Sequence, residues 1–260
     1  MTEEVIVEVS GGIQTIRFNR LDKKNALTRP MYDRVIEALL AGDDATQVAA
    51  HVFLGGNGVF TAGNDIGDFA RHDGKPRDLS SGAPGLIRLL PSVRKPMIAA
   101  VDGLAVGIGT TMLFHCDLVF ASPRASLRTP FVDLGLVPEA GSSMLAPLRM
   151  GQQRAFELLC LGEPFDGQRA CEAGLVNHVV PSDELEAATM KAAARLALKP
   201  PGALAASRRL LRGDPSALLA QIEKETEIFA ERLASGEAKE AFSAFLEKRQ
   251  PDFSQFRKQA

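Results

Sequence analysis

Two apolar runs of strand length, VAAHVFLGG (residues 48–56) and KPMIAAVDG (95–103), each end in glycine and lead into a glycine-rich loop. The loops are GGNGVFTAGNDIGDF (Gly55 to Phe69) and DGLAVGIGTT (Asp102 to Thr111). After the second comes GIGTTMLFHC (Gly107 to Cys116), of helix length, with a possible strand on either side. Upstream, EVIVEVSGGIQTIRFN reads as a β-hairpin turning at Ser10-Gly11-Gly12. LTRPMYDRVIEALLAG reads as an amphipathic helix, with Thr28 as N-cap, Pro30 in the first turn, Met31, Val35 and Leu39 on one stripe, and Gly42 as its stop. Strand and helix alternate, which predicts an α/β domain.

RHDGKPRDLSSGAPG (Arg71 to Gly85) is polar and rich in glycine and proline, so it is predicted to be a surface loop of the kind that covers a site. Beyond Gly141 the segments are helix-like as far as Arg249, broken chiefly by the strand-like GLVNHVVP. The expected organisation is an α/β core over residues 1–195 followed by a helical region over 196–260. No repeat or linker marks either part as an independent domain.

A chain of 260 residues buries enough surface to fold without a partner. Its 45% apolar and 24% charged content is that of a globular protein, and a formal net charge of -2 gives no footprint for nucleic acid or an anionic membrane. The basic run SRRLLRG reads as a solvated helix face. Cys116, Cys160 and Cys171 have no C-x-x-C spacing, which argues against a disulfide framework and a zinc cage. No apolar run reaches the ~20 residues of a membrane span, and neither a secretory leader nor a C-terminal peroxisomal address is evident, so the expected location is cytoplasmic.

Several motifs are ruled out directly. GIGTTM begins as G-x-G, but Met112 stands where a dinucleotide site has its third glycine. The sequence contains no G-x-x-x-x-G-K-[ST], H-E-x-x-H or G-x-S-x-G, and its four histidines lack ligand spacing, so no metal is expected. The two glycine loops have a more specific reading, because a loop entering a helix leaves backbone N–H groups free to bind an oxyanion. Their glycines equally suit tight turns, and the loops alone leave both readings open.

Six stretches in order, FNRLDKKNALT, FTAGNDIGDF, VDGLAVGIGTTMLFHCDLVFAS, TPFVDLGLVPEAGSS, AGLVNHVVP and FSAFLEKRQPDF, resemble the enoyl-CoA hydratase/isomerase (crotonase) superfamily over nearly the whole chain. The resemblance implies a spiral of strand-strand-helix units with a C-terminal helical layer that mediates trimerisation, often into hexamers. It implies an acyl-CoA substrate, with no cofactor besides the CoA the substrate carries. The thioester oxygen would lie between the amides of Asn64 and Ile108, the latter following Gly107. The CoA moiety would pass Lys24, Ala26, Ala62, Gly63 and the neighbouring Asp65 and Ile66, while Phe245 and Lys248 would reach the nucleotide end of a neighbouring subunit's CoA.

Hydratases of this family use two glutamates, at positions that here hold Thr111 and Phe131. Adding water needs one group to activate it and another to share the proton delivered to carbon 2, and neither side chain can titrate. Δ3,Δ2-enoyl-CoA isomerases of the peroxisomal type resemble the chain more closely here, with the catalytic glutamate where Glu139 stands. Moving a double bond requires only that one carboxylate take a proton from carbon 2 and return one at carbon 4. Each pKa unit of mismatch between base and α-proton costs ~1.36 kcal/mol, so two oxyanion donors at ~3 kcal/mol each recover about four units. Apolar neighbours such as Phe131, Leu136 and Val137 should raise the Glu139 pKa while leaving it ionised near neutral pH.

Without the resemblance, Glu139 would read as a carboxylate complementing the helix that follows it. Two alternatives to isomerisation stay open: a hydratase or other crotonase activity with Asp133 as second acid, and a non-catalytic acyl-CoA-binding protein. Asp65 is expected to anchor its loop by accepting backbone hydrogen bonds, and Asp117 to be structural.

Overall fold

The computed structural model describes residues 3–65, 67 and 80–257. The hairpin forms as predicted: β1 (Val5–Ser10) and β2 (Ile13–Phe18) pair antiparallel across a Gly11-Gly12 turn. Helix α1 (Arg29–Asp44) follows, with Met31, Tyr32, Val35, Ala38 and Leu39 buried. Gly42 does not end it. A Cβ there would lie 2.5 Å from the Gln14 side-chain oxygen, so Gly42 makes room inside the helix for the buried Gln14–His51 pair. Thr28 has the extended backbone of an N-cap, yet its hydroxyl is buried and makes no capping bond among the described residues.

Three successive units then each send one strand to each of two sheets. They are β3 (Ala50–Leu54) with β4 (Val59–Thr61), β5 (Met97–Val101) with β6 (Leu104–Val106), and β7 (Leu118–Ala121) with β8 (Ser126–Arg128). Between the first two units lies α2 (Gly82–Leu89), and between the second and third lies α3 (Ile108–Thr111), continued by a 3-10 turn over Met112–His115. Helix α2 corrects the loop expected over 71–85. Pro84 sits in its first turn, where a missing amide costs nothing, and Leu86 and Ile87 are buried. Residues 71–79 of that loop lie outside the described residues.

Next come α4 (Ser142–Met150), α5 (Gln152–Phe156) running into a π turn over Glu157–Leu161, β9 (Phe165–Asp166), α6 (Gly167–Glu172) and β10 (His178–Val179). The chain ends in α7 (Leu185–Ala197), α8 (Pro201–Arg212), α9 (Ser216–Leu233) and α10 (Gly236–Glu247). The division expected after residue 195 falls within α7. No helix among the described residues is long and apolar enough to cross a membrane.

The larger sheet has the order β1-β2-β3-β5-β7-β10 and the smaller β4-β6-β8-β9. From β2 onward the larger sheet is parallel, and β4, β6 and β8 are parallel in the smaller. Every residue of β3 and β5 is buried, as parallel strands covered on both faces require. Alternate side chains serve two cores. Phe53, Met97 and Ala99 point into the main core, while Val52, Leu54 and Ile98 pack against Leu185 and Ala193 of α7. Helix α8 is docked by Arg208, which donates to Asp117 at 2.9 Å and to the carbonyl of Val93 at 2.6 Å. Asp117 also accepts from the Met97 amide at 2.8 Å, the structural role expected of it.

Candidate active site

The two glycine loops leave the same end of the smaller sheet, because β4 and β6 pair in parallel with Val59 opposite Leu104 and Thr61 opposite Ala105. Their backbones touch. A Cβ on Gly63, whose φ is +82°, would lie 2.6 Å from the carbonyl oxygen of Val106. Gly107 adopts φ 55° and ψ -119°, a conformation that only glycine takes without strain, and hands the chain to α3. Among the described residues, neither the Asn64 amide nor the Ile108 amide has a hydrogen-bond acceptor. Helix α3 is only four residues long, so a donor at its start acts through its own N–H more than through a long macrodipole.

The segment expected to line the CoA runs beside the first loop. Ala62 N–H donates to the Lys24 carbonyl at 2.9 Å, and Leu27 N–H donates to the Gly63 carbonyl at 2.7 Å. Asn25 ties it down from within, accepting from the Arg20 amide at 2.8 Å and donating to the carbonyl of Val59 at 3.1 Å. The stretch from Lys24 through Ala26 to Leu27 therefore runs alongside Ala62 and Gly63. Asp65 accepts from the Gly67 amide at 2.9 Å, as expected, and pairs with Arg20 at 2.7 Å. Ile66 lies outside the described residues.

Glu139 is 7% exposed and belongs to the turn that precedes α4. One carboxyl oxygen, Oε1, accepts from the Thr111 hydroxyl on α3, while Oε2 is buried with no partner among the described residues. Thr111, which stands where hydratases of the family have a glutamate, gives its hydroxyl to this carboxyl. Phe131, Leu136 and Ile108 are buried in the same core as the Ala140 next to it. Burial pushes the Glu139 carboxyl up to about 8, against a smaller downward pull from Thr111, and the charge of Glu225 adds to the rise. The direction matches the sequence reading, but its extent leaves the group mostly protonated at pH 7 in the free chain, because a single hydroxyl replaces the water that burial removed.

Asp133 does not join Glu139. It is about half exposed and pairs with Arg128 at 3.0 Å. Phe245 is also more than half exposed, near the end of the helix that Lys248 caps. That helix packs against α9 and the Val132–Leu134 turn, and the place of Phe245 and Lys248 in a neighbouring subunit's site stays a proposal.

Three residues near Glu139 escape a reading by motif. Tyr32 of α1, the only tyrosine, is buried and donates to the Asn64 side-chain oxygen at 2.6 Å. Burial raises its pKa and the Glu139 charge raises it further, so the hydroxyl senses that carboxylate. His115 bonds through Nε2 to the Ala140 carbonyl at 2.7 Å. Burial pushes His115 down to about 4, so the ring is neutral at physiological pH with its proton on Nε2. Glu225 of α9 accepts from the amide of Gly141 at 2.6 Å. Its visible signal is a phase one: Leu218, Ile222, Glu225 and Phe229 follow helical spacing, so the carboxylate rides on an apolar stripe.

Stacked units of this kind, with paired loops at one sheet end, define the crotonase fold. The crystal structure of an enoyl-CoA hydratase/isomerase from Pseudoalteromonas atlantica superposes with a TM-score of 0.91 at 38% identity, covering 96% of this chain and 100% of that one. The chain belongs to the enoyl-CoA hydratase/isomerase family, whose model matches residues 8–257. Relatives carry both kinds of name. The 2,3-dehydroadipyl-CoA hydratase of Escherichia coli is 33% identical over 96% of this chain and 98% of that protein. Enoyl-CoA delta isomerase 2 of Rattus norvegicus is 35% identical over 93% of this chain, which spans 63% of that longer protein.

Proposed function

We propose that this family enzyme is a Δ3,Δ2-enoyl-CoA isomerase in which Glu139 shuttles one proton. The observation that carries the reading is the unpartnered Oε2 of Glu139, on a buried carboxyl whose other oxygen is bonded to Thr111. Two competing acids are engaged elsewhere: Asp133 pairs with Arg128, and Glu225 accepts from Gly141 and Ser143. In the proposed reaction the thioester oxygen sits between the amides of Asn64 and Ile108. Glu139 removes a proton from carbon 2, negative charge spreads to the thioester oxygen, and the two amides meet it there. The protonated carboxyl then delivers a proton to carbon 4, leaving the double bond at carbons 2 and 3. Only protons and electron pairs move, so the step calls for no redox partner. The expected trimer would bring Phe245 and Lys248 to a neighbouring subunit's CoA.

The E. coli hydratase relative favours a second reading, hydration of a 2-enoyl-CoA with Asp133 assisting. Both are tested by incubating the protein with a chain-length series of 3-enoyl- and 2-enoyl-CoA in ¹⁸O-labelled water. The expected result is conversion of 3-enoyl- to 2-enoyl-CoA without incorporation of label. Rapid formation of labelled 3-hydroxyacyl-CoA would replace isomerase by hydratase. Binding of acyl-CoA without carbon-2 proton exchange would identify a non-catalytic binder.

A further inference from the structure

The turn that carries Glu139 is strained and held from outside its own element. Ala140 has φ 58°, left-handed territory for a residue with a side chain, and Gly141 follows at φ 70°. Such a pair persists only where neighbours fix it. Ser142 Oγ donates to the Glu139 carbonyl at 2.6 Å, and His115 bonds the Ala140 carbonyl. The strongest hold comes from α9. Glu225, 5% exposed, accepts from the Gly141 amide at 2.6 Å through Oε2, and from the Ser143 amide at 3.0 Å and the Ser143 hydroxyl through Oε1. One helical turn earlier, Gln221 donates to the Ser143 hydroxyl at 2.9 Å.

A helix cap needs no buried carboxylate supplied from eighty-odd residues away. Ser, Thr, Asn or Asp just before the helix would serve, yet the residue at the N-cap of α4 is Gly141, which has no side chain to cap with. A long-range glutamate adds what a local cap cannot, a tie between the C-terminal helical layer and the base, and it also sets a second carboxylate behind that base.

We propose that Glu225 is a positioning residue for the isomerisation, clamping the 139–143 turn from α9 so that the Glu139 carboxylate faces the substrate, with a like charge behind it. This rests on Glu139 being the base. The groups facing Glu139 are Thr111 on α3, Tyr32 on α1, His115 behind Ala140 and Glu225 on α9. Arg149 and Arg212 lie beyond His115, whose protonation they disfavour. Among the described residues, Glu225 is thus the carboxylate whose charge opposes ionisation of Glu139.

The test is the pH profile of isomerase turnover for wild type, E225Q, E225A and E139Q, with a 3-enoyl-CoA as substrate. E225Q keeps the shape and one good acceptor but loses the charge. Its acid limb should move down by roughly one pH unit. Its plateau kcat should fall about tenfold with KM within about twofold, because the base is mis-set while substrate binding is retained. E225A should lose about 100-fold in kcat on the same ground. E225Q with wild-type kcat and an unmoved limb would overturn the proposal even if its melting temperature falls, since a purely structural cap predicts that outcome. Near-wild-type turnover by E139Q would instead remove the base itself. An inactive E139Q beside an unaffected E225Q removes only the role of Glu225. Should E225A not fold, E225Q alone decides.

Discussion

Glu139→Gln is expected to bind acyl-CoA within about threefold of wild type and to lose at least about 100-fold in isomerase turnover, the share of a general base. The amide fills the same space and can still accept from the Thr111 hydroxyl, so the fold has no reason to change. What disappears is the atom that takes the proton. The wild-type rate should rise with pH through about 8, because only the ionised carboxyl is a base and burial has pushed it to about 8. The residual rate of the variant should be flat over that range.

The same substitution should separate activity from stability. A carboxyl whose folded pKa exceeds its unfolded value binds its proton more tightly in the fold. Its stabilising contribution is complete below about 4.5 and is lost as pH rises through about 8. The difference corresponds to on the order of 5 kcal/mol, which the glutamine variant does not lose. Melting temperatures of the two proteins should therefore nearly coincide at pH 5, and E139Q should be the more stable by pH 9. Parallel melting curves across that range would show that Glu139 is not buried as described, and near-wild-type turnover would end its assignment as the base.

The apolar runs at 48–56 and 95–103 locate β3 and β5, because strands covered on both faces are apolar throughout. The second sheet was not legible. Its strands VFT, LAV, SLR and FD are two or three residues long, too short for period-two alternation to register, and their pairing follows from the stacking of successive units. GIGTTMLFHC has the length of one helix but tightens after Thr111, since Ile108 to His115 are all buried and tertiary packing overrides local preference there. Of the candidate site, Glu139 and the two amides were proposed from sequence because the family resemblance marks those positions. Tyr32 and Glu225 were not, because each acts through a partner far along the chain, Asn64 in one case and Gly141 in the other. A lone charge in the apolar phase of a helix was the available clue.

Gly63→Ala should nearly abolish turnover while leaving the base intact. At φ +82° an alanine is strained by roughly 1–2 kcal/mol whatever surrounds it. Its methyl would also meet the Val106 carbonyl oxygen at 2.6 Å, and that atom belongs to backbone at the end of β6, with no rotamer to turn away. Either the 62–65 loop lifts or the 106–108 loop does. Each carries one proposed oxyanion donor, so the distance between the Asn64 and Ile108 amides must change in either case. Loss of one such donor costs about 10²–10³ in kcat, and that is the expected deficit. The Glu139–Thr111 contact involves neither Gly63 nor Val106 and is not broken by a small lift of the first loop, so the acid limb near 8 should stay where it is. A fall in kcat together with a shifted limb would mean that the two halves of the site move as one. A variant with full turnover would mean that the thioester oxygen is held somewhere other than between these loops.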